Sequence, residues 1–151
     1  MLRAGELLSH RRGFEVSDLD VALHWADLHA ADPRASTPPE ERRPGMPRLV
    51  QLGGQGSPMV QDLAMAELAI ARHTHTLATR WLLADGLDLR HRLPKCNRVV
   101  HDLECELWVA RRIARATRHL TMAEAAYVDA ALAPALAGEQ PGRILELLEA
   151  K

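Results

Sequence analysis

The sequence predicts an all-α fold, an irregular array of five to seven helices. Three observations predict it. Apolar residues make up 47% of the chain, but Ala and Leu supply most of them, beside three Trp, one Tyr and one Phe. Few aromatic and β-branched residues favour helix over sheet. Apolar positions recur at helical spacing through most of the chain, and no stretch alternates apolar and polar residues as a half-buried strand does. A chain of 151 residues fits one domain, able to bury roughly 70% of the surface its unfolded form exposes.

Residues 1–16 read as a polar N-terminal arm with a short apolar patch, Leu7-Leu8, and a basic "HRR". Residues 17–151 read as a single helical domain. Ser17 and Asp20 resemble a capping box and open the first helix, whose stripe is Leu19, Leu23, Ala26 and Ala30; Asp32-Pro33 stops it. Residues 33–58 hold six of the nine prolines and Gly53-Gly54, which predicts a long flexible loop at about 33–57. "LGGQG" lacks the Lys-Ser/Thr ending of a phosphate loop and reads as a connector.

Ser57-Pro58 predicts an N-cap with proline at the first helical position. The helix it opens carries Met59, Leu63, Ala66 and Ile70 as one stripe and Val60, Ala64, Leu68 and Ala71 beside it, a surface wide enough to require burial or a partner. Thr74 or Thr76 caps a further helix running to about Arg92, with Ala78, Leu82, Leu89 and Leu93 as its seam. Gly86 in mid-helix points to close backbone packing. From Pro94 to Leu120 the chain reads as helical with a bend near 103–106. Thr121-Met122-Ala123-Glu124 is a capping box, and Ala125, Val128, Leu132 and Leu136 face inward behind it. "RILELLEA" gives a last short helix that must dock on something.

The net charge of −1 gives no global sign of a nucleic-acid partner, but its distribution is uneven. From Arg72 to His119 ten Lys or Arg stand against five acids, a local +5, whereas 1–71 and 120–151 each carry −3. Such a basic middle steers an anion unless the acidic ends neutralise it in the fold. The clearest basic feature is "WVARRIARATRHL" (108–120). On a helix Arg111, Arg112, Arg115, Arg118 and His119 share one side. They form either a solvated surface or a contact for phosphates, which Arg grips with paired hydrogen bonds.

Other motifs carry less. "AELAIARHTHTLATRWLLADG" loosely has helix-turn-helix form, and a recognition helix would present Thr79, Arg80 and His75 outward; an ordinary αα-hairpin reads the same way. His73 and His75 diverge on a helix. Cys96 and Cys105 lie on opposite sides of a continuous helix, so a zinc site with His101 requires the bend; buried thiols are the simpler expectation. The three tryptophans read as core anchors. No nucleophile elbow or paired-carboxylate arrangement stands out. Two cysteines make no disulfide framework, no signal peptide is visible and no run reaches membrane-spanning length, so a reducing cytoplasm is expected.

The blocks "HWADLHAADP" (24–33), "AELAIARHTHTLATRWLLADGLDLRHRLPK" (66–95), "WVARRIARATRHL" (108–120) and "AAYVDAALAP" (125–134) together resemble the actinobacterial 13E12 repeat family, in order and spacing, from about residue 20 onward. The resemblance implies the helical N-terminal region, a domain of unknown function, of HNH endonuclease-like proteins. Where the family often has turn glycine, this chain has Arg72; where it tends to have Gly and Pro near the bend, it has Leu103 and Glu106. Either change is expected to straighten a turn. The nuclease unit, with its His base and ββα metal site, is expected to lie outside this chain, so no catalytic, cofactor-binding or metal-binding residue is assigned. The expected function is a helical module that touches DNA phosphates through Arg80, Arg111, Arg112, Arg115 and Arg118. The alternative is a scaffold packing on a C-terminal nuclease half or on a second copy.

Overall fold

The computed structural model describes residues 2–150; Met1 and Lys151 lie outside the described residues. Seven helices form the architecture: α1 (Leu2–Leu28), α2 (Ala64–Ala71), α3 (Thr76–Arg92), α4 (Pro94–His101), α5 (Leu107–Thr117), α6 (Met122–Gly138) and α7 (Pro141–Glu149). Two short strands, β1 (Leu49–Gln51) and β2 (Met59–Gln61), pair antiparallel with Val50 opposite Val60. The all-α expectation is met, and the small hairpin is the addition that periodicity missed. Three residues per strand are too few for alternation to register.

The helix α3 is the axis of the molecule. It packs against α1, α2, α4, α5 and α6, and every residue from Leu82 to Leu89 is buried. Gly86 sits where α1 crosses it. A Cβ there would lie 2.7 Å from Leu19 and 3.0 Å from Leu23, so the close packing expected of this glycine is present.

The first helix begins at Leu2, not at Ser17, so the N-terminal arm is its first turns. No proline interrupts Leu2–Val16, and tertiary contacts anchor the segment against the cost of Gly5 and Gly13: Arg11 and Arg12 both reach Glu106, at 2.6 and 2.8 Å. Beyond that anchor Val16, Leu19, Ala22, Leu23 and Ala26 are buried; Ala30 lies past the helix end and is exposed.

The segment after α1 is held at its far end. The hairpin loop between β1 and β2 is pinned by Gln51, whose side-chain amide donates to the carbonyls of Gly54 and Ser57. Gln55 accepts from the backbone N–H of Met122. Ser57-Pro58 therefore belongs to the hairpin, and its expected helix starts only at Ala64. This rotates the buried face. Val60, Ala64, Met65 and Leu68 are buried, whereas Met59, Leu63 and Ile70 of the expected stripe are exposed.

Both turns that lack glycine are kept. Thr74 N–H donates to Ala69 O and His73 N–H to Ile70 O at the end of α2; Glu104 to Val99 and Leu103 to Val100 repeat the pattern after α4. These are Schellman closures, with His73 (φ 52°) and Leu103 (φ 61°) in the left-handed position. The turns do not straighten, because the two 6→1 bonds and the packing on either side hold them.

The capping box at Thr121–Glu124 is present, and Ala125, Val128, Leu132 and Leu136 are buried as expected. The helix α7 docks on α5 and α6 through Ile144, which is buried. The buried Asp129 of α6 accepts from the N–H groups of Lys95 (2.9 Å) and Cys96 (2.8 Å). It thereby caps the first turn of α4 from another helix.

Candidate nucleic-acid interface

The basic face of α5 does not stand uncovered. Two carboxylates of α3, Asp85 and Asp88, have no exposed surface and point at it. Asp85 Oδ2 accepts from Arg111 Nε at 3.0 Å and Arg115 Nη2 at 2.9 Å, and its Oδ1 from Arg118 Nη2 at 2.7 Å. Asp88 Oδ2 accepts from Arg118 Nε at 2.7 Å, and its Oδ1 from the Gly54 N–H at 2.7 Å. Arg118 is thus held by a two-point grip. Burial disfavours its charge, but the two carboxylates outweigh burial and raise its pKa.

Arg92, also on α3, extends the network inward. It is fully buried, stands 3.6 Å from Asp88 and donates to the carbonyls of Thr117, Arg118 and Leu120. Those carbonyls are the open C-terminal end of α5, where a cation is favoured. "LGGQG" closes the same site. A Cβ on Gly54 would collide with the Arg92 guanidinium and with the Arg118 carbonyl. The connector expected to be flexible is a fitted wall of the network, and its glycines are there for close approach.

Of the five expected phosphate ligands, the structure brings Arg111, Arg115 and Arg118 together and turns all three onto Asp85. Arg112, one residue round the helix, is exposed. Arg80 is exposed on α3, outside the cluster. Among the described residues neither Arg80 nor Arg112 forms an ion pair. The carboxylates that hold the cluster come from the middle of the chain itself, while the acidic first third pairs elsewhere: Asp18 with Arg72, Asp27 with Arg90 and Asp20 with His101. Four guanidinium groups (Arg92, Arg111, Arg115 and Arg118) still face only two carboxylates, an excess of two positive charges.

The tryptophans also depart from expectation. Trp25 packs against the core and donates its indole N–H to Ala64 O. Trp81 and Trp108 do not: they are 48% and 50% exposed. The guanidinium of Arg115 lies over the Trp81 ring, 5.6 Å from its centroid. Trp81 and Trp108 stand on the walls of an open groove of about 390 Å³, where Arg111 joins them. Trp108 and Arg111 continue into a second depression with Arg112, Arg115 and Ala116. A continuous aromatic and basic strip therefore runs along α5.

The expected recognition helix is only partly presented. Thr79, expected to face outward, is buried and hydrogen-bonded to Thr74, whereas His75 and Arg80 are exposed. From Leu82 to Leu89 α3 is buried, so only its first turns are open, and α2–α3 is an αα-hairpin. Cys96 and Cys105 are buried free thiols. Burial, helped by Asp129, pushes the Cys96 thiol far up, and burial raises Cys105 to about 11, so both are protonated and poor nucleophiles at neutral pH. Among the described residues no group of three or more His, Cys, Asp or Glu is placed to hold a metal ion, and no helix is long and apolar enough to cross a membrane.

Comparison with protein families, with curated proteins and with solved structures gives no match.

Two parts of the site escaped sequence reasoning. Asp85 lies at i+7 from Ala78 and i+3 from Leu82, inside the apolar seam of α3, and an acid inside a seam is itself a signal; Asp88 follows it one turn later on the edge of that seam. Gly53-Gly54 had no local sign of its role, because the side chains that crowd it come from other elements.

Proposed function

We propose that this chain is a helical module that associates with nucleic acid, as its resemblance to the 13E12 repeat region implies, and that the contact strip is the outer edge of α5 with the start of α3. The observation that carries this reading is the exposed pair Trp81 and Trp108 alternating with Arg111, Arg115 and Arg112. Aromatic faces interleaved with guanidinium groups suit bases and phosphates in turn. The roles divide. Arg118 and Arg92 build the fold. Arg111 and Arg115 hold Asp85 with one edge and present the rest of the guanidinium outward. Arg112 and Arg80 carry positive charge with no internal partner.

Binding of a fluorescently labelled oligonucleotide, measured by anisotropy over a salt series, tests the reading. Affinity should fall steeply with salt. Arg80→Glu with Arg112→Glu should weaken binding at least ten-fold without changing the melting temperature, because neither side chain supports the core. Absent or salt-independent binding overturns it.

The second reading is a scaffold that packs on a C-terminal nuclease half or on another copy. Its support is the exposed Leu7, Phe14 and Val21 on α1 and Ile70 on α2. Concentration-dependent mass in light scattering would favour it, and a strictly monomeric mass would reject self-association.

A further inference from the structure

The groove between α3 and α5 has a mixed lining. Ala78, Leu82 and Leu107 give it apolar surface beside Trp81 and Trp108. Two carboxylates of α1, Glu15 and Asp18, line it with Arg72 of the α2 terminus. Trp108 and Arg111 also line the adjoining depression that holds Arg112 and Arg115. Asp18 holds Arg72 through Nη2 at 2.5 Å, and Arg72 Nε and Nη1 find no hydrogen-bond partner in the protein.

A phosphate alone suits this groove badly, since Glu15 and Asp18 repel it. A flat aromatic ring with one amino edge and an attached phosphate matches the chemistry of its lining. Resting on the nucleic-acid reading above, we propose that the groove receives an unpaired, amine-bearing base of a single-stranded nucleic acid. The ring lies against Trp108 and Trp81. The exocyclic amine donates to the carboxylates of Asp18 and Glu15, as cytosine N4 does to an acidic side chain. The flanking phosphates meet Arg111, Arg115 and Arg112.

The lining also sets a preference. Cytosine and adenine carry an exocyclic amine. Thymine and uracil carry two carbonyl oxygens flanking their one N–H, and those oxygens face repulsion from Glu15 and Asp18. A duplex is excluded from the groove, because its bases are stacked and paired.

The test uses the full chain at fixed low salt with oligo-dC, oligo-dA, oligo-dT and a duplex of equal length, reading anisotropy and intrinsic tryptophan fluorescence together. Oligo-dC and oligo-dA should bind several-fold tighter than oligo-dT and quench the tryptophan emission; the duplex should not quench. Trp108→Ala should lower oligo-dC affinity about ten-fold or more, and Trp108→Phe should restore most of it. Asp18→Asn with Glu15→Gln should erase the preference for oligo-dC over oligo-dT. If Trp108→Ala binds oligo-dC as the native chain does, with salt dependence intact, the groove proposal falls and the phosphate reading stands. If no oligonucleotide binds at all, both fall. Cytidine monophosphate binding as tightly as oligo-dC overturns the strand as ligand in favour of a free nucleotide.

Discussion

Asp85 and Asp88 decide what the arginines of α5 are for. A buried carboxylate without a partner costs several kcal/mol, so each needs its guanidinium neighbours. The dependence is unequal. Asp85 has no exposed surface while Arg115 is half exposed, at 53%, and an arginine that loses its acid regains water. Asp85→Ala removes at once the acceptor that three arginines share and opens a buried hole beside Arg118; it should destabilise by about 2–3 kcal/mol, read as a lower urea midpoint. Arg115→Ala leaves Asp85 with two donors and should cost under about 1 kcal/mol. Equal losses from the two variants would contradict the network as described.

His101 gives a pH signature at the same scale. Burial opposes its charge, but the Asn97 carbonyl and the Asp20 carboxylate, 3.0 Å away, overcome this and raise its pKa above the ordinary 6.5. A histidine with a raised folded pKa stabilises fully below its unfolded value, and that contribution disappears as pH rises through the folded value. In Asp20→Asn, the His101 ring protons should titrate at lower pH by NMR. The loss of melting temperature between about pH 6 and pH 8 should also shrink. An unchanged His101 titration in Asp20→Asn would refute the pairing.

At the scale of elements, the ends of the helices carry the most information. The C-terminus of α5 is closed by Arg92 and the N-terminus of α4 by Asp129, both side chains from other helices. The termini of α2 and α4 are closed by left-handed residues that are not glycine. A β-carbon in that region costs roughly 1–2 kcal/mol. Leu103 offsets this by packing on the core, while His73 is exposed. His73→Gly should therefore stabilise the protein, by about 0.5–1 kcal/mol after the added flexibility of the unfolded chain, seen as a higher melting temperature. A lower one would mean that the His73 side chain has a role beyond closing the turn.

At the scale of the whole molecule, the charge blocks of the sequence interlock. Acids of α1 meet Arg72, Arg90 and His101, and Glu106 from the basic middle meets Arg11 and Arg12 of α1. Part of the +5 is thereby neutralised, and the exposed Lys and Arg of that segment without an ion pair among the described residues are Arg80, Lys95, Arg98 and Arg112. Folding and binding should then separate by salt. The exposed pairs contribute little, so raising salt from about 50 to 200 mM should leave the melting temperature nearly constant. Over the same range oligonucleotide affinity should fall ten-fold or more. Parallel losses of both would mean that the same charges serve fold and partner alike.

The amino-acid sequence by itself determined that the chain is helical, the Thr121–Glu124 cap and the inward face of α6. Each is local: propensity, period and capping act within a few residues, so they are written in order along the chain. Only the tertiary structure decided which cations are buried struts and which face outward, that two of three tryptophans are exposed, and that a glycine connector is a fitted wall. Electrostatic pairing and burial act through space. Asp85 meets Arg111, Arg115 and Arg118 across 26 to 33 positions of sequence, and no spacing along one helix specifies which acid will lie beneath it.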